Sequence, residues 1–250
     1  MTSPFFRFPV SSQSASVKLD PSKISEFYPW DTDALAFWDF SNESFRSVDA
    51  TQLLTAKNPA SPPTFNSGKL VFSTAAGNSI ASKLTDAMLP AHSYTAVVYV
   101  PDMSGSTQLL MIAGNYQRLA TPTGEQMMCS GRKFLVSTSS FTGNYTSVTD
   151  TVEGWCFVSI AVDIANKKMS CYMMQLSSGA EIAVEDNGGS VYPHSAAPFG
   201  LGNDNYTSNT ASKTIQASEF VIYDKYLTLA ELRDKYTAAS NRQKKFGINI

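Results

Sequence analysis

With 250 residues, 21 acidic against 19 basic side chains and a net charge of −2, the chain projects no field that would gather nucleic acid or an anionic membrane surface. At 43% hydrophobic and only 16% charged, it lies outside the compositional range of disordered proteins and can bury a sizeable core. No apolar run reaches the roughly 18 residues of a transmembrane helix, and MTSPFFRFPV lacks the apolar stretch of a secretory signal, so no membrane insertion is expected.

Residues 1–30 differ in character from the remainder of the chain. Proline and serine resist regular structure there, yet Phe5, Phe6, Phe8, Phe27, Tyr28 and Trp30 are unusual in a solvated tail. An extended N-terminal arm reconciles the two, packed either on its own domain or on another subunit. Residues 31–250 then form the domain proper. Its first strand is Ala34 to Phe40, where Leu35, Phe37 and Asp39 alternate with Ala36, Trp38 and Phe40. Residues 45–67, with three prolines, read as loop. Further strands are expected at 68–72, 94–100 and 108–113, with shorter pieces at 77–85, 127–129 and 133–139.

The clearest β-signal is GWCFVSIAVDIANKKMSCYMMQL, residues 154–176. Period-2 alternation on both sides of Ile164-Ala165-Asn166-Lys167 predicts a hairpin. Neither strand has a purely polar face, so both faces should be covered, as in the middle of a sandwich. Trp38 and Trp155 sit inside strong strands and are expected in the core. Cys129, Cys156 and Cys171 are odd in number and lack C-x-x-C spacing, which predicts buried free thiols and a reducing compartment. Another strand is expected at 180–184, and the last strong one at 215–223. Thr228-Leu229-Ala230-Glu231 then matches a capping box, with Leu227 and Leu232 at the staple positions. Leu229, Leu232 and Tyr236 give that helix a narrow apolar stripe that should fade near Asn241. Arg242, Lys244 and Lys245 are the cationic end of a helix rather than a nucleic-acid site. About ten to twelve strands with one late helix predict an all-β, antiparallel two-sheet sandwich.

In this order the elements resemble the concanavalin A-like lectin/glucanase superfamily in its laminin-G-like form. The residues that carry the resemblance are Phe37-Trp38-Asp39-Phe40, Gly68 to Phe72, Trp155 to Asp163 with Tyr172 on the return strand, Phe199-Gly200-Leu201-Gly202, and Glu219 to Asp224 running into Leu227 to Leu232. Together they span about 34–240. Met173-Met174 after Tyr172 departs from the Asn-Gly common in the family. The resemblance implies a jelly-roll sandwich but no single function, since sites are grafted onto folds. A reduced chain with an aromatic arm is most similar to members found in bacteriophage virions. The expectation is a non-enzymatic virion structural protein (tail, fibre or decoration component), assembled in the host cytoplasm. It would be a homo-oligomer that contacts other virion proteins and host surface glycan. A free-standing lectin and a glycan-cleaving enzyme are the alternatives.

The chemistry legible in the sequence is sparse. The superfamily's E-x-D-x-x-E glucanase motif is missing, and Glu181 and Glu185 on one strand stand roughly 13 Å apart, too far for a retaining pair. His92 and His194 lie beside proline-bearing turns and share no ligand spacing, so neither a zinc site nor a nucleophilic triad is expected. Sugar binding needs exposed rings beside amides. Tyr116, Tyr145 and Tyr206 each come directly after an asparagine in a predicted loop, which makes Tyr116, Asn144, Tyr145, Asn205 and Tyr206 the candidate carbohydrate contacts, with Tyr192 nearby in kind. Calcium is the one cofactor the resemblance brings, and Asn203 and Asp204 are its candidate ligands, with Asp102 or Asp150. An ordinary Asn/Asp turn explains the same residues.

Overall fold

The computed structural model describes residues 31–117, 123–131, 133–138, 145–147, 153–175, 179–186, 194–207 and 209–250. The arm residues Phe5, Phe6, Phe8, Phe27, Tyr28 and Trp30, together with Asn144, Asp150 and Tyr192, lie outside them.

Fifteen strands among the described residues are numbered along the chain. They are β1 (Ala36–Asp39), β2 (Thr55–Ala56), β3 (Thr64–Phe65), β4 (Leu70–Ser73), β5 (Ile80–Ala81), β6 (Ala91–Val100), β7 (Leu110–Gly114), β8 (Glu125–Ser130), β9 (Lys133–Thr138), β10 (Tyr145–Ser147), β11 (Gly154–Asp163), β12 (Lys168–Gln175), β13 (Ala180–Asp186), β14 (Gly200–Leu201) and β15 (Thr214–Tyr223). The single α-helix among them, α1, is Leu229–Lys244. The larger sheet runs β13-β12-β11-β6-β15-β4-β3, with β1 also on β15; the smaller runs β10-β9-β8-β7-β14-β5-β2. All pairings between these strands are antiparallel, so the two-sheet sandwich expected from the alternation is the fold.

β15 is the keel of the larger sheet. One edge pairs with β6; the other is divided, Thr214–Ala217 against β4 and Glu219–Ile222 against β1. A register shift between Ala217 and Glu219 places Ser218 in a bulge at that division. Trp38 of β1 stacks on Phe220 of β15 at 5.5 Å between ring centroids, inside the main core. The β11–β12 hairpin forms as the alternation requires, pairing Phe157 with Met174 through Asp163 with Lys168. Val158, Ile160 and Val162 enter the core between the sheets. Phe157 and Ala161 point the other way, into a second apolar cluster beneath α1. Both faces of the hairpin are therefore covered, one by the opposite sheet and one by the helix.

The helix begins where the capping box places it: Thr228 Oγ1 accepts from the Glu231 amide, and the Glu231 carboxylate accepts from Thr228 N. Leu227 and Leu232 are both fully buried, and burial of a leucine side chain stabilises by about 1.5–3 kcal/mol. The helix runs to Lys244 rather than fading near Asn241, because its last turn is bonded to the sheet. Arg242 donates to both oxygens of the buried Glu219, and Gln243 donates to one of them. Trp155 is a further correction: it lies half-buried on the helix side, edge-on to Tyr99 at 5.7 Å, because odd-numbered β11 residues face outward. The stretch 77–85 contributes only the two residues of β5. All three cysteines are free and buried; Cys171 pairs across from Ile160 and Cys156 from Val98, so the two do not face each other.

Candidate functional site

The outer face of the smaller sheet differs from that of the larger one. Met111 of β7 and Met128 of β8 are cross-strand partners on it, and Leu109 and Tyr206 pack against them. No helix of the described residues covers this face. Tyr116, just past β7, and Tyr206, in the loop after β14, come together here with ring centroids 5.7 Å apart. Both are half-exposed. A hydrogen-bonded turn holds Tyr206 in place: Asn203 Nδ2 donates to the Tyr206 carbonyl, and Tyr206 N donates to Asn203 Oδ1. Gln126 of β8, donating to the Gly202 carbonyl, anchors the start of the same loop.

Asn203 and Asp204, the residues assigned to calcium from the sequence, are thus built into that loop. Asn203 is fully buried with both side-chain groups on Tyr206. Asp204 Oδ1 meets Lys57 Nζ at 2.7 Å and accepts from Ser79 Oγ at 3.2 Å. A cation at Asp204 has Lys57 to displace. Asn205 lies beside them, half-exposed. Tyr145 opens β10, where its backbone lies across Leu135 from Met128, two strands or roughly 10 Å away at ordinary strand spacing. Asp102 accepts from Ser104 N in the turn that leaves β6.

A second grouping went unread in the sequence. His92 at the start of β6 and Glu125 at the start of β8 reach toward each other across the gap between the sheets, Nε2 to Oε1 at 2.8 Å. His92 Nδ1 sits 2.8 Å from the Leu89 carbonyl and donates to it, which fixes the tautomer. Asp86, on the loop before β6, accepts from the Asn115 side-chain amide at one oxygen and from Ser195 N at the other. Ser195 Oγ donates to the Asn115 carbonyl, and Glu125 N donates to Asn115 Oδ1. The close approach depends on Gly124, at φ +77°, where an added Cβ would come within 2.5 Å of Asn115 Oδ1. All three ionisable side chains are 2% exposed or less. Burial, then the charge of Glu125, push the Asp86 carboxyl up to about 7. Burial alone would lower His92, but the charge and hydrogen bond of Glu125, with Asp86 behind them, outweigh it and raise the imidazole. One donor atom from each residue lies within 4.8 Å of the others, the one such His/Cys/Asp/Glu group among the described residues. No spacing motif links positions 86, 92 and 125. The available signal was that His92 continues the inward face of Tyr94, Ala96 and Val98, and Glu125 that of Met127 and Cys129.

A cavity of about 300 Å³ lies on the helix side, at the seam between β1, the β15 bulge and the end of α1. Asp39, Lys69, Ser218, Gln243 and Phe246 line it, and Ser218 Oγ and Gln243 Oε1 are buried there without a hydrogen-bond partner among the described residues. Glu181 and Glu185, weighed as a glucanase pair, are exposed on β13, and Glu181 is engaged with Arg233 at 3.0 Å.

No protein-family model matches this chain, and no curated protein matches it in sequence. Solved structures do. The botulinum neurotoxin type G receptor binding domain superposes with a TM-score of 0.57 at 11% identity, over 84% of this chain and 52% of that one. A structure from botulinum neurotoxin type C, whose cell entry depends on interaction with two ganglioside molecules, gives 0.56 at 8%, over 83% and 51%. Trypanosoma rangeli sialidase in complex with sialic acid gives 0.57 at 10%, over 86% and 34%. This chain spans about half the length of the toxin chains and a third of the sialidase chain. At such identities the likeness is one of fold: a two-sheet β-sandwich.

Proposed function

We propose that this chain is a non-catalytic glycan-binding module carried on a bacteriophage particle, with its sugar contact at Tyr116, Asn205 and Tyr206. The observation that carries the reading is the convergence of Tyr116 and Tyr206. Two loops distant in sequence bring half-exposed rings to 5.7 Å, with an asparagine alongside. Aromatic rings cover the apolar faces of a sugar, while amides and carbonyls bond its hydroxyls. The sandwich neighbours support the same class, since one engages gangliosides and another was solved with sialic acid. The resemblance of 34–240 to concanavalin A-like lectins points the same way. Support for the virion comes from three free, buried thiols, which suit assembly in a reducing cytoplasm, and from the aromatic residues of 1–30, which suit an arm docked on other virion proteins or a second copy. Against catalysis, Glu181 and Glu185 are exposed with Glu181 held by Arg233, and the closer Asp86 and Glu125 are enclosed between the sheets, out of reach of a polysaccharide.

The test is a glycan array carrying bacterial surface polysaccharides and sialylated oligosaccharides, probed with the full chain and with Tyr206→Ala, with and without calcium. Binding lost in the variant supports the site, and no binding by either protein sinks the reading. Binding that survives Tyr206→Ala but not Gln243→Leu would move the site to the seam cavity, which the two unpartnered oxygens there favour as a second reading. Mass spectrometry of purified particles tests the location, and the chain's absence from them would leave a free-standing lectin.

A further inference from the structure

Two carboxylates and one imidazole, enclosed between the sheets, present a charge problem. Asp86, His92 and Glu125 are 1%, 0% and 2% exposed. The largest charge effects on Asp86 and on His92 come from members of the trio itself. Without a metal, protons offset the carboxylate charge, since Asp86 is pushed up to about 7 and the His92 imidazole is raised. A divalent cation would take the place of those protons.

The geometry is that of oriented ligands. His92 Nδ1–H is bonded to the Leu89 carbonyl, so Nε2 faces the two acids and shares a proton with Glu125 that a metal would displace. An outward N–H held by a carbonyl is the usual arrangement of a metal-bound histidine. Each Asp86 oxygen accepts one N–H, from Asn115 and from Ser195 N, which fixes the carboxylate while leaving it lone pairs. Two ligands each about 2.1 Å from a metal stand roughly 3.0–3.4 Å apart, so the 2.8 Å contact between His92 and Glu125 has a few tenths of an ångström to open. A further observation points into the same place. The fully buried Tyr94 hydroxyl reaches toward Glu125, and burial, then the charges of Glu125 and Asp86 and the hydrogen bond to Glu125, raise it well above its ordinary value.

We propose that Asp86, His92 and Glu125 form a buried site for a divalent transition-metal ion of the zinc or manganese kind, with Tyr94 beside it. The donor set, one nitrogen and two carboxylates, suits such ions. Calcium, which takes six to eight oxygens, is disfavoured by the imidazole and the small number of donors. Because His92 belongs to one sheet and Glu125 to the other, the ion clasps the sandwich across its core. Its enclosure means that it is taken up as the chain folds.

The experiment uses the full chain, unfolded in EDTA and refolded with or without Zn2+. Bound metal is counted by mass spectrometry of the element and stability by the thermal midpoint. The expected result is close to one zinc per chain and a midpoint at least roughly 5 °C higher than in the metal-free protein. Co2+ in place of Zn2+ should give visible absorption bands of a protein-bound ion. Glu125→Gln keeps a hydrogen-bond donor toward His92 Nε2, so it folds, and it should lower bound metal about tenfold. Asp204→Asn, at the surface loop, should leave the metal content unchanged. Refolded wild type holding under about 0.1 zinc with an unmoved midpoint overturns the site. So does a full complement of metal in Glu125→Gln, or its loss in Asp204→Asn instead.

Discussion

The two outer faces of the sandwich are built to opposite plans. On the larger sheet, Phe157, Ala161, Tyr172, Val221 and Tyr223 are sealed by Leu232, Ala239 and the terminal Ile248 and Ile250. Ion pairs rivet the seal: Glu219 to Arg242, and Asp31 to Lys235, whose ammonium also lies 5.0 Å above the Tyr223 ring. On the smaller sheet, the described apolar cluster has Met111 and Met128 as its buried members, and Tyr206 rests on them with one side toward solvent. The lesson is a division of labour: residues that could be sticky are spent on stability where the helix covers them, and the tyrosine-capped face is the one on which the proposed glycan contact rests.

The strongest way to break this contrast is Arg242→Ala. It strands the Glu219 carboxylate, 1% exposed, with only Gln243 for company. A loss of roughly 3–5 kcal/mol is expected in urea unfolding, because an unpaired buried charge remains. Glycan binding by the folded fraction should be unchanged. A loss under about 1 kcal/mol would mean that the helix is not riveted as described.

Next is Gly200→Ala in β14. An added Cβ would meet the Ile80 carbonyl oxygen at 2.5 Å, so β14 must shift between β5 and β7. Overpacking should cost roughly 1–3 kcal/mol. Because β14 feeds the Tyr206 loop, affinity should fall with stability, unlike in the helix-side variant. Equal affinity in the two variants would uncouple loop from strand.

A smaller effect is set by pH. Burial by itself would raise Asp31, but the hydrogen bond and charge of Lys235, with the Tyr223 hydroxyl and the Asp33 amide, outweigh it and hold the carboxyl below its ordinary 3.8. A depressed folded-state value contributes stability above the unfolded-state value, and that stability is lost as pH falls through the folded one. The urea midpoint should therefore drop below about pH 4 more steeply in wild type than in Lys235→Met. Parallel acid limbs in the two proteins would remove Asp31 from the account.

The smallest stability change belongs to Tyr206→Ala. Asn203 bonds the backbone of residue 206, not its ring, so the loop should persist and the cost stay near 1 kcal/mol. Affinity for an array-positive glycan should fall at least tenfold, about 1.4 kcal/mol. A variant that binds as well as wild type places the sugar elsewhere.

Much of this molecule could be read along the chain. Strict alternation from Phe157 to Val162 and from Met169 to Gln175 predicted the hairpin that the sheet contains. Thr228 and Glu231 marked the start of α1 to the residue. β2, β3 and β14 escaped because two residues display no period, and the strand expected at 77–85 shrank to the two residues of β5. The helix ran past its expected end because Glu219, far away in sequence, holds its last turn. Of the loop residues singled out for sugar or calcium, Tyr116, Asn203, Asp204, Asn205 and Tyr206 fall in one neighbourhood, while Tyr145 opens β10, two strands from Met128. His92 shows no ligand spacing along the chain, and Asp86 and Glu125 stand in no motif with it, although a histidine and a glutamate on inward faces signal buried charge.

The sequence by itself determined the all-β class, the hairpin, the helix start and the burial of three free thiols. Each comes from local rules: alternation sets the face a side chain takes, and a cap needs only neighbours three residues away. The tertiary structure alone decided that Tyr116 meets Tyr206, that Arg242 finds Glu219, and that His92 meets Glu125 between the sheets. Those encounters depend on which strands lie opposite one another across a gap of about 10 Å, and no periodicity within one strand specifies its partner in the other sheet.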